Sequence, residues 1–271
     1  MSTSLDSQIQ RVMGVRVLTI NVWARFGDWP ARRSVLKQAL AELSPDLIAF
    51  VEAIWLDGYD QVEDLAAGFN VVHQTMRTPD GAGISIATKL PIQAVNELDL
   101  HLGERPRDFP AGALIAEVGW PQPILFVNHM PSWQLDQENE REKQTVMVAR
   151  KIEELTAGRE VHVIVAGDMD ADPAASSIRF WTGRQALEGR SVCYRDAWEA
   201  KHPDETGETF TPRNPLVADP DWPFGRIDYI FVRCGVHGGP TLRIERCERW
   251  LDQPVDGAWA SDHFGVVADL S

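Results

Sequence analysis

The sequence feature that most constrains the fold is the segment from Val161 to Asp170, in which an apolar run ends in Gly167 and two carboxylates. A run of β-branched residues without polar alternation is typical of a strand whose two faces are both covered. In an extended chain Asp168 and Asp170 point to one face, where two anions repel unless a cation or hydrogen-bond donors lie between them. We therefore expect a buried strand that delivers both acids to a functional site, with a solvated turn as the alternative.

Length and composition indicate one domain. The 271 residues are 44% hydrophobic, which is enough for a sizeable core, and no linker, charge block or internal repeat divides the chain. We expect a polar N-terminal tail over residues 1–10 and a single domain over residues 11–271. Cys193, Cys234 and Cys247 cannot all pair and lack the spacing of a metal site, so we expect them to be reduced and to pack in the fold.

The charge balance restricts the class of ligand. Forty acidic and 26 basic residues give a net charge of −14, which repels a polyanion over most of the surface. Duplex nucleic acid is therefore a disfavoured partner, but it is not excluded, because local cations can still bind phosphate. The polar start lacks the apolar core of a secretory signal and no run of 18 apolar residues occurs, so we expect a cytoplasmic protein without a membrane span. The oligomeric state leaves no mark in the sequence.

Polar residues accompany several other apolar runs that are predicted to be strands. An amide, a carboxylate and an imidazole come at the ends of three of them, an acid lies inside a fourth, and an acid and an imidazole precede a fifth. In chain order these are Val15–Ile20 with Asn21, Leu47–Val51 with Glu52, Ile124–Val127 with Asn128 and His129, Ile227–Val232 with Asp228, and Gly265–Leu270 with Asp262 and His263.

Helical spacing of apolar residues predicts the layers that cover these strands. Pro30 is predicted to begin one helix, and Pro45 to end it. The segment from Asp172 to Trp222 is predicted to form loops over one end of the sheets, with a short helix near 178–187. Further helices are predicted over 62–69 and 137–155, and further strands over 71–72, 84–87, 92–100 and 113–118.

Six short motifs occur in order along the chain: Asn21, Glu52, Asn128-His129, Gly167-Asp168-Met169-Asp170, Arg226-Ile227-Asp228-Tyr229 and Ser261-Asp262-His263. Together they resemble the endonuclease/exonuclease/phosphatase superfamily, the pancreatic-deoxyribonuclease-like fold. The resemblance implies a four-layer α/β/β/α sandwich, in which two mixed β-sheets pack face to face and are flanked by helices. It also implies hydrolysis of phosphoesters with Mg²⁺, or with Mn²⁺ in its place. One departure is Asp170, where the family usually has Asn.

The resemblance also implies a role for each candidate residue. Glu52 and Asp262 are hard oxygen ligands of the kind that Mg²⁺ prefers, and we predict that they bind the metal. His263 and Asp228 resemble the family's His–Asp pair, in which the carboxylate fixes the tautomer and stabilises the charged imidazole. Asp168 is expected to orient the attacking water. The remaining catalytic candidates are His129 for the phosphate or the leaving group, Asn21 for the metal or a phosphate oxygen, and Asp170.

Three functions from different classes remain open. The favoured one is a Mg²⁺-dependent phosphodiesterase or phosphatase that acts on a small phosphorylated molecule by in-line attack of an activated water. The runner-up is a nuclease or an abasic-site endonuclease. The third is a catalytically inactive family member that serves as a binding module, and it is least favoured because the chain has a candidate residue for every role.

Aromatic residues near the predicted site favour a small substrate. Five of the ten tryptophans lie within a few residues of a candidate, so they are candidate walls of one pocket, although packing of loops against the sheets is the alternative. A duplex binder would instead need a basic face. Arg141 and Gln144 on the next helix could reach phosphate, but a solvated helical face explains them equally well, so they are left out of the site. The five residues are Trp23, Trp55, Trp133, Trp222 and Trp259.

Overall fold

The structure is a computed structural model that describes residues 14–102, 109–223 and 225–271, so the predicted tail at 1–10 lies outside the described residues. The strands are β1 (Val15–Asn21), β2 (Leu47–Leu56), β3 (Tyr59–Asp60), β4 (Asn70–His73), β5 (Ala82–Thr88), β6 (Ile92–Asp99), β7 (Gly112–Val118), β8 (Ile124–Met130), β9 (His162–Asp168), β10 (Tyr194–Asp196), β11 (Asp228–Arg233), β12 (Ile244–Trp250) and β13 (Gly265–Leu270). The helices are α1 (Trp29–Leu43), α2 (Gln61–Leu65), α3 (Glu138–Thr156), α4 (Ser176–Trp181) and α5 (Ala197–Lys201). None of the described helices is both long enough and apolar enough to cross a lipid bilayer.

The strands form two mixed sheets. The order in the first sheet is β12-β13-β1-β2-β5-β4, with β3 paired to β2, and the order in the second is β10-β11-β9-β8-β7-β6. β1 and β2 run parallel in the first sheet, and β8 and β9 run parallel in the second. The strands that carry most of the candidate residues, β1, β2, β9 and β11, therefore lie in the interior of their sheets.

Alternation of side chains along these strands produces four layers. In β1, Val17 lies in the apolar cluster between the two sheets, whereas Leu18 packs in the cluster beneath α1. In β9, Ile164 joins the cluster between the sheets, whereas Val165 packs on the side of α3 and α4. Because both faces of the central strands are covered, their residues are apolar without a break, as in the segment that begins at Val161. The α/β/β/α sandwich confirms the predicted fold.

The prediction that the second strand ends at Glu52 is wrong. β2 continues to Leu56, and its pairing register with β5 shifts between Phe50 and Ala53. Glu52 lies at this irregularity with a φ of 53°. Such an irregularity bends a strand and re-aims a side chain, so the carboxylate is presented by a kink inside the strand.

Other differences concern short elements, which contain too few residues to show a period. β8 continues to Met130, so His129 lies inside the strand and not after it. The helix predicted over 62–69 is only α2, whose N-cap Asp60 accepts hydrogen bonds from two backbone N–H groups of its first turn. The helix predicted near 178–187 is α4, and the segment predicted as loops also contains β10 and α5.

Gly167 lies where β9 passes very close to β8. Its φ is 142°, a backbone conformation that residues other than glycine rarely adopt. A Cβ atom at this position would also lie 2.1 Å from the carbonyl oxygen of His129. The backbone of the second sheet therefore requires glycine directly before Asp168.

We expect Gly167→Ala to lower the free energy of unfolding by about 3 kcal/mol or more, because the new methyl group overlaps a backbone carbonyl. Gly158→Ala is the matched control, since Gly158 also has a positive φ, 68°, but no atom lies within 4 Å of its Cβ position. The control should lose only about 1–2 kcal/mol. Urea denaturation followed by circular dichroism measures both, and equal losses would contradict the steric account.

Candidate functional site

Side chains from both sheets meet at one end of the sandwich. Asn21, the last residue of β1, donates from Nδ2 to Glu52 Oε1 in its own sheet and to Asp168 Oδ2 in the other sheet, at 3.0 Å in each case. The amide oxygen of Asn21 accepts a hydrogen bond from the backbone N–H of Trp23 at 2.9 Å. Both ends of the amide are used within the protein, so Asn21 bridges the two sheets, and its contact with a metal or a phosphate stays a prediction.

His263 lies against two carboxylates from the second sheet. Its Nδ1 atom is 2.9 Å from Asp228 Oδ2 and 3.7 Å from Asp168 Oδ2. The antiparallel pairing of β9 and β11 puts Asp168 and Asp228 directly opposite each other. Burial alone would lower the pKa of His263, but the two carboxylates outweigh it and hold that pKa well above its usual range. The two carboxylates therefore favour the protonated imidazole, in which Nδ1 donates to Asp228.

The carboxylates at this end of the sandwich are poorly compensated. Burial raises the pKa of Glu52, and the nearby Asp262 raises it further. Burial also raises the pKa of Asp262, although His263 and Ser261 oppose the effect. Asp228 Oδ1 is buried and has no hydrogen-bond partner among the described residues. Carboxylates in this situation are stabilised by a cation or by added hydrogen-bond donors.

Asp170 does not share an extended face with Asp168, in contrast to the prediction. Its φ is 48°, and its backbone N–H donates to Asp168 Oδ1 at 3.2 Å. The chain therefore turns after β9 and wraps around the first carboxylate. Burial raises the pKa of Asp170 to about 7, so the side chain at the position where the family usually has Asn takes up a proton more readily than an exposed aspartate does.

The donor set fits a hard divalent cation. Asp168, Asp228 and His263 offer ligand atoms that all lie within 4.8 Å of one another, so this group could hold a metal ion. However, His263 Nδ1 lies 2.9 Å from Asp228 Oδ2, and this nitrogen is unsuitable as a metal ligand while it donates to that carboxylate. The other candidate ligand atoms are carboxylate oxygens, and oxygen ligands suit Mg²⁺ or Mn²⁺ better than they suit softer metals.

His129 lies in a different environment from the other candidates. The residue is fully buried, and neither ring nitrogen has a hydrogen-bond partner among the described residues. Its ring packs edge-on against Trp181 in α4, with 6.2 Å between the ring centroids. Burial lowers the pKa of His129 to about 3, so the ring is neutral. Its role toward phosphate or the leaving group stays a prediction.

The neighbouring Asn128 connects the two sheets. Its Nδ2 atom donates to the carbonyl oxygens of Phe50 at 2.8 Å and Ser85 at 3.0 Å, which belong to β2 and β5. The polar pair predicted at this point of the sequence therefore divides between two faces, because successive side chains of a strand alternate.

One of the five tryptophans is linked to the site through a second ring. Trp222 packs against Phe210, with 5.7 Å between centroids, and Phe210 packs against His263, with 4.7 Å. The other four make contacts of their own or are exposed: Trp23 lies under Arg32, Trp55 is 44% exposed and stacks on His73, Trp133 is 42% exposed, and Trp259 stacks on Phe264.

Two buried residues that were not predicted from the sequence support the backbone of the site. Thr209 Oγ1 accepts hydrogen bonds from the backbone N–H groups of Ile227 and Asp228, both at 3.2 Å. Asn214 Nδ2 donates to the carbonyl oxygens of Ser261 at 2.8 Å and Asp262 at 3.0 Å. Both lie in the segment predicted as loops, and a side chain that bonds to a distant backbone leaves no periodic pattern in the sequence.

The interpretation of Arg141 and Gln144 as a solvated face is wrong. Each is 1% exposed, and both hold the loop that follows β8. Arg141 Nη1 donates to the carbonyl oxygens of Ser132 at 2.9 Å and Gln134 at 2.8 Å, and Gln144 Nε2 donates to Ser132 Oγ at 2.8 Å. The long stems of both side chains thus cross the helix surface to reach the backbone.

Solved structures with the same fold include proteins from several organisms. TDP2 from D. rerio, in a structure with a single-strand DNA product, has a TM-score of 0.77 and 21% identity, with 95% of this chain and 99% of that chain covered. The catalytic domain of human Nocturnin, with a bound sulfate anion, has a TM-score of 0.73 and 16% identity over 95% of this chain and 94% of that chain. An endonuclease/exonuclease/phosphatase from Bacteroides vulgatus has a TM-score of 0.71 and 18% identity over 96% and 99%. At these identities the likeness shows the fold alone.

A search of curated protein sequences found no match. The model of the Endonuclease/Exonuclease/phosphatase family, in contrast, matches residues 18–263. This range contains every candidate site residue from Asn21 to His263. The chain therefore belongs to the endonuclease/exonuclease/phosphatase family.

Proposed function

We propose that this protein is a Mg²⁺-dependent hydrolase of small phosphoesters, with a phosphodiester or a phosphomonoester as substrate. The family includes metal-dependent phosphoesterases and nucleases, so membership supports metal-dependent hydrolysis of a phosphoester. The single observation that carries the proposal is the hydrogen bond between His263 and Asp228, 2.9 Å long, inside a group of buried carboxylates. A buried His–Asp pair beside further carboxylates is typical of a catalytic site, so it favours an enzyme over a binding module.

The residues of the chain supply most of what phosphoester hydrolysis needs. Because Nδ1 of His263 is bonded to Asp228, Nε2 is the ring atom that remains for a phosphate oxygen, and its positive charge stabilises the transition state. Asp168 is fixed by Asn21 and by the backbone of Asp170, so it is suited to orient the attacking water. Mg²⁺ held by Glu52 and Asp262 would supply charge neutralisation and a Lewis acid.

A second candidate function is that of a nuclease, which hydrolyses a phosphoester in single-stranded nucleic acid. The observation that favours it is the single-strand DNA product bound to D. rerio TDP2, a protein with the same fold. The net charge of −14 weighs against it, because a polyanionic strand needs a basic groove. We therefore keep the small phosphoester as the main proposal.

The first test removes the charged pair. We expect His263→Ala and Asp228→Asn each to lower kcat by about 10³-fold, since a histidine that acts on the reacting phosphate contributes on this scale. The double variant should lose little more than either single variant, because the two side chains act as one unit. His237→Ala is the matched control, an exposed histidine on a distant loop. Turnover of bis-nitrophenyl phosphate near the wild-type rate by folded His263→Ala would contradict the assignment.

The second test concerns the metal ligands. We expect Glu52→Gln to raise the Mg²⁺ concentration for half-maximal rate by about 10- to 100-fold, because it removes one anionic ligand and leaves the size of the side chain unchanged. Glu42→Gln on the outer surface of α1 is the control and should behave like the wild type. An unchanged metal dependence in the Glu52 variant would remove that residue from the site.

The third test compares substrates. We expect a small aryl or nucleoside phosphoester to quench tryptophan fluorescence on binding, because Trp222 is linked to His263 through Phe210. We also expect it to be hydrolysed with a higher kcat/KM than a single-stranded oligonucleotide or a plasmid duplex in the same buffer with Mg²⁺, and EDTA should abolish all turnover. A higher kcat/KM on the oligonucleotide would favour the second candidate, and no turnover of any phosphoester would favour the binding module.

A further inference from the structure

Two cysteines face each other at one edge of the second sheet. β10 and β11 pair antiparallel with Tyr194 opposite Arg233, so Cys193 and Cys234 are the next pair in the same register. The backbone N–H of Cys234 donates to the carbonyl oxygen of Cys193 at 2.9 Å, which extends the ladder to this pair. Opposite residues of an antiparallel ladder carry their side chains on the same face.

The geometry of such a pair allows a covalent bond between the sulfur atoms. Opposite residues have Cα atoms about 4.5–5.5 Å apart, which lies inside the range of about 4.4–6.8 Å that a disulfide requires. The thiols of Cys193 and Cys234 are free, and the register of the two strands puts them on the same face of the sheet. Burial, and then the hydrogen bond with the Cys193 thiol, raise the pKa of Cys234 to about 11. Cys247 is 1% exposed in β12 and is not part of the pair.

The two thiols differ in their access to solvent. Cys193 is exposed, whereas Cys234 is half-buried. A dissolved oxidant therefore meets Cys193 first, and the sulfur of Cys234 is already in position to react with any adduct formed there. This is the arrangement of an attacking thiol beside a resolving thiol.

We propose that Cys193 and Cys234 are a reversible redox site, which a small disulfide such as glutathione disulfide oxidises to an intramolecular disulfide. The Cys193 thiolate attacks glutathione disulfide, forms a mixed disulfide and releases one glutathione. The sulfur of Cys234 then attacks the Cys193 sulfur and releases the second glutathione. The protein loses two electrons and two protons, and one oxidised glutathione becomes two reduced molecules.

The bond would close a loop of about 40 residues, long enough for a crosslink to reduce the entropy of the unfolded chain considerably. That loop contains Thr209 and Asn214, which hold the backbone of Asp228 and Asp262. Oxidation therefore stabilises the segment that supports the site. The inference rests on the pairing of the strands and does not depend on the proposed substrate or metal.

The test uses the full chain with glutathione disulfide as the only oxidant. We expect the treated wild type to lose two of its three titratable thiols, its mass to fall by two hydrogen atoms, and its Tm to rise by about 5–10 °C. Dithiothreitol should restore the three thiols and the original Tm. Peptide mapping should find Cys193 linked to Cys234.

Three variants separate this disulfide from general thiol oxidation. Cys234→Ser should keep a glutathionyl group on Cys193, Cys193→Ser should stay reduced, and neither should gain thermal stability. Cys247→Ala is the matched control and should form the disulfide as the wild type does. Three titratable thiols after treatment, a stable glutathione adduct on the wild type, or an unchanged Tm of the crosslinked protein would overturn the proposal.

Discussion

The site depends on the burial of several carboxylates where two facing sheets end, an arrangement that is stable only with positive charge or hydrogen-bond donors among them. The amide of Asn21 makes the first such connection, because it donates to Glu52 in one sheet and to Asp168 in the other. The imidazolium of His263 makes the second, against Asp228 and Asp168. The two connections hold the sheets in a fixed relation at this end and leave an excess of negative charge, which a divalent cation can neutralise.

Much of this arrangement can be predicted from the sequence, for a physical reason. Strands covered on both faces are continuously apolar, so a polar residue such as Asn21 or Asp168 is conspicuous at the point where the apolar run ends. The family motifs then bring the separate polar residues into one site, and the sandwich follows from the alternation of covered strands and amphipathic helices. The four layers and the presence of β1, β9, β11 and β13 are confirmed in this way.

The features that could not be predicted depend on local irregularity or on distant contacts. No residue pattern around Glu52 predicts the kink that redirects its side chain. The prediction for Asp170 assumed an extended backbone, whereas its φ is positive. Thr209 and Asn214 act through hydrogen bonds to backbone groups that lie far along the chain. The orientation of His129 depends on whether β8 includes it and on the face of the strand that it occupies. The sequence does not predict the end of a strand to within one residue.

The substrate is determined by parts of the molecule that the fold does not fix. Proteins with this fold that are less than 25% identical to the chain share its sheets, whereas specificity is carried by loops. In this chain a loop contributes the ring of Phe210 against His263, with Trp222 packed on Phe210, and the net charge of −14 repels a polyanion over most of the surface. These features are the basis for proposing a compact phosphoester with a flat or apolar part as the substrate.

In the proposed enzyme, the acidic end of the sandwich binds a divalent cation beside a phosphate. Anomalous X-ray diffraction from crystals soaked with Mn²⁺ and inorganic phosphate tests this, because the anomalous signal locates the metal independently of any reaction. We expect one strong peak within about 2.0–2.3 Å of a carboxylate oxygen of Glu52, with a phosphate that contacts both the metal and Nε2 of His263. Peaks only at exposed acidic residues elsewhere, or a phosphate bound away from His263, would show that this end of the sandwich is not the site.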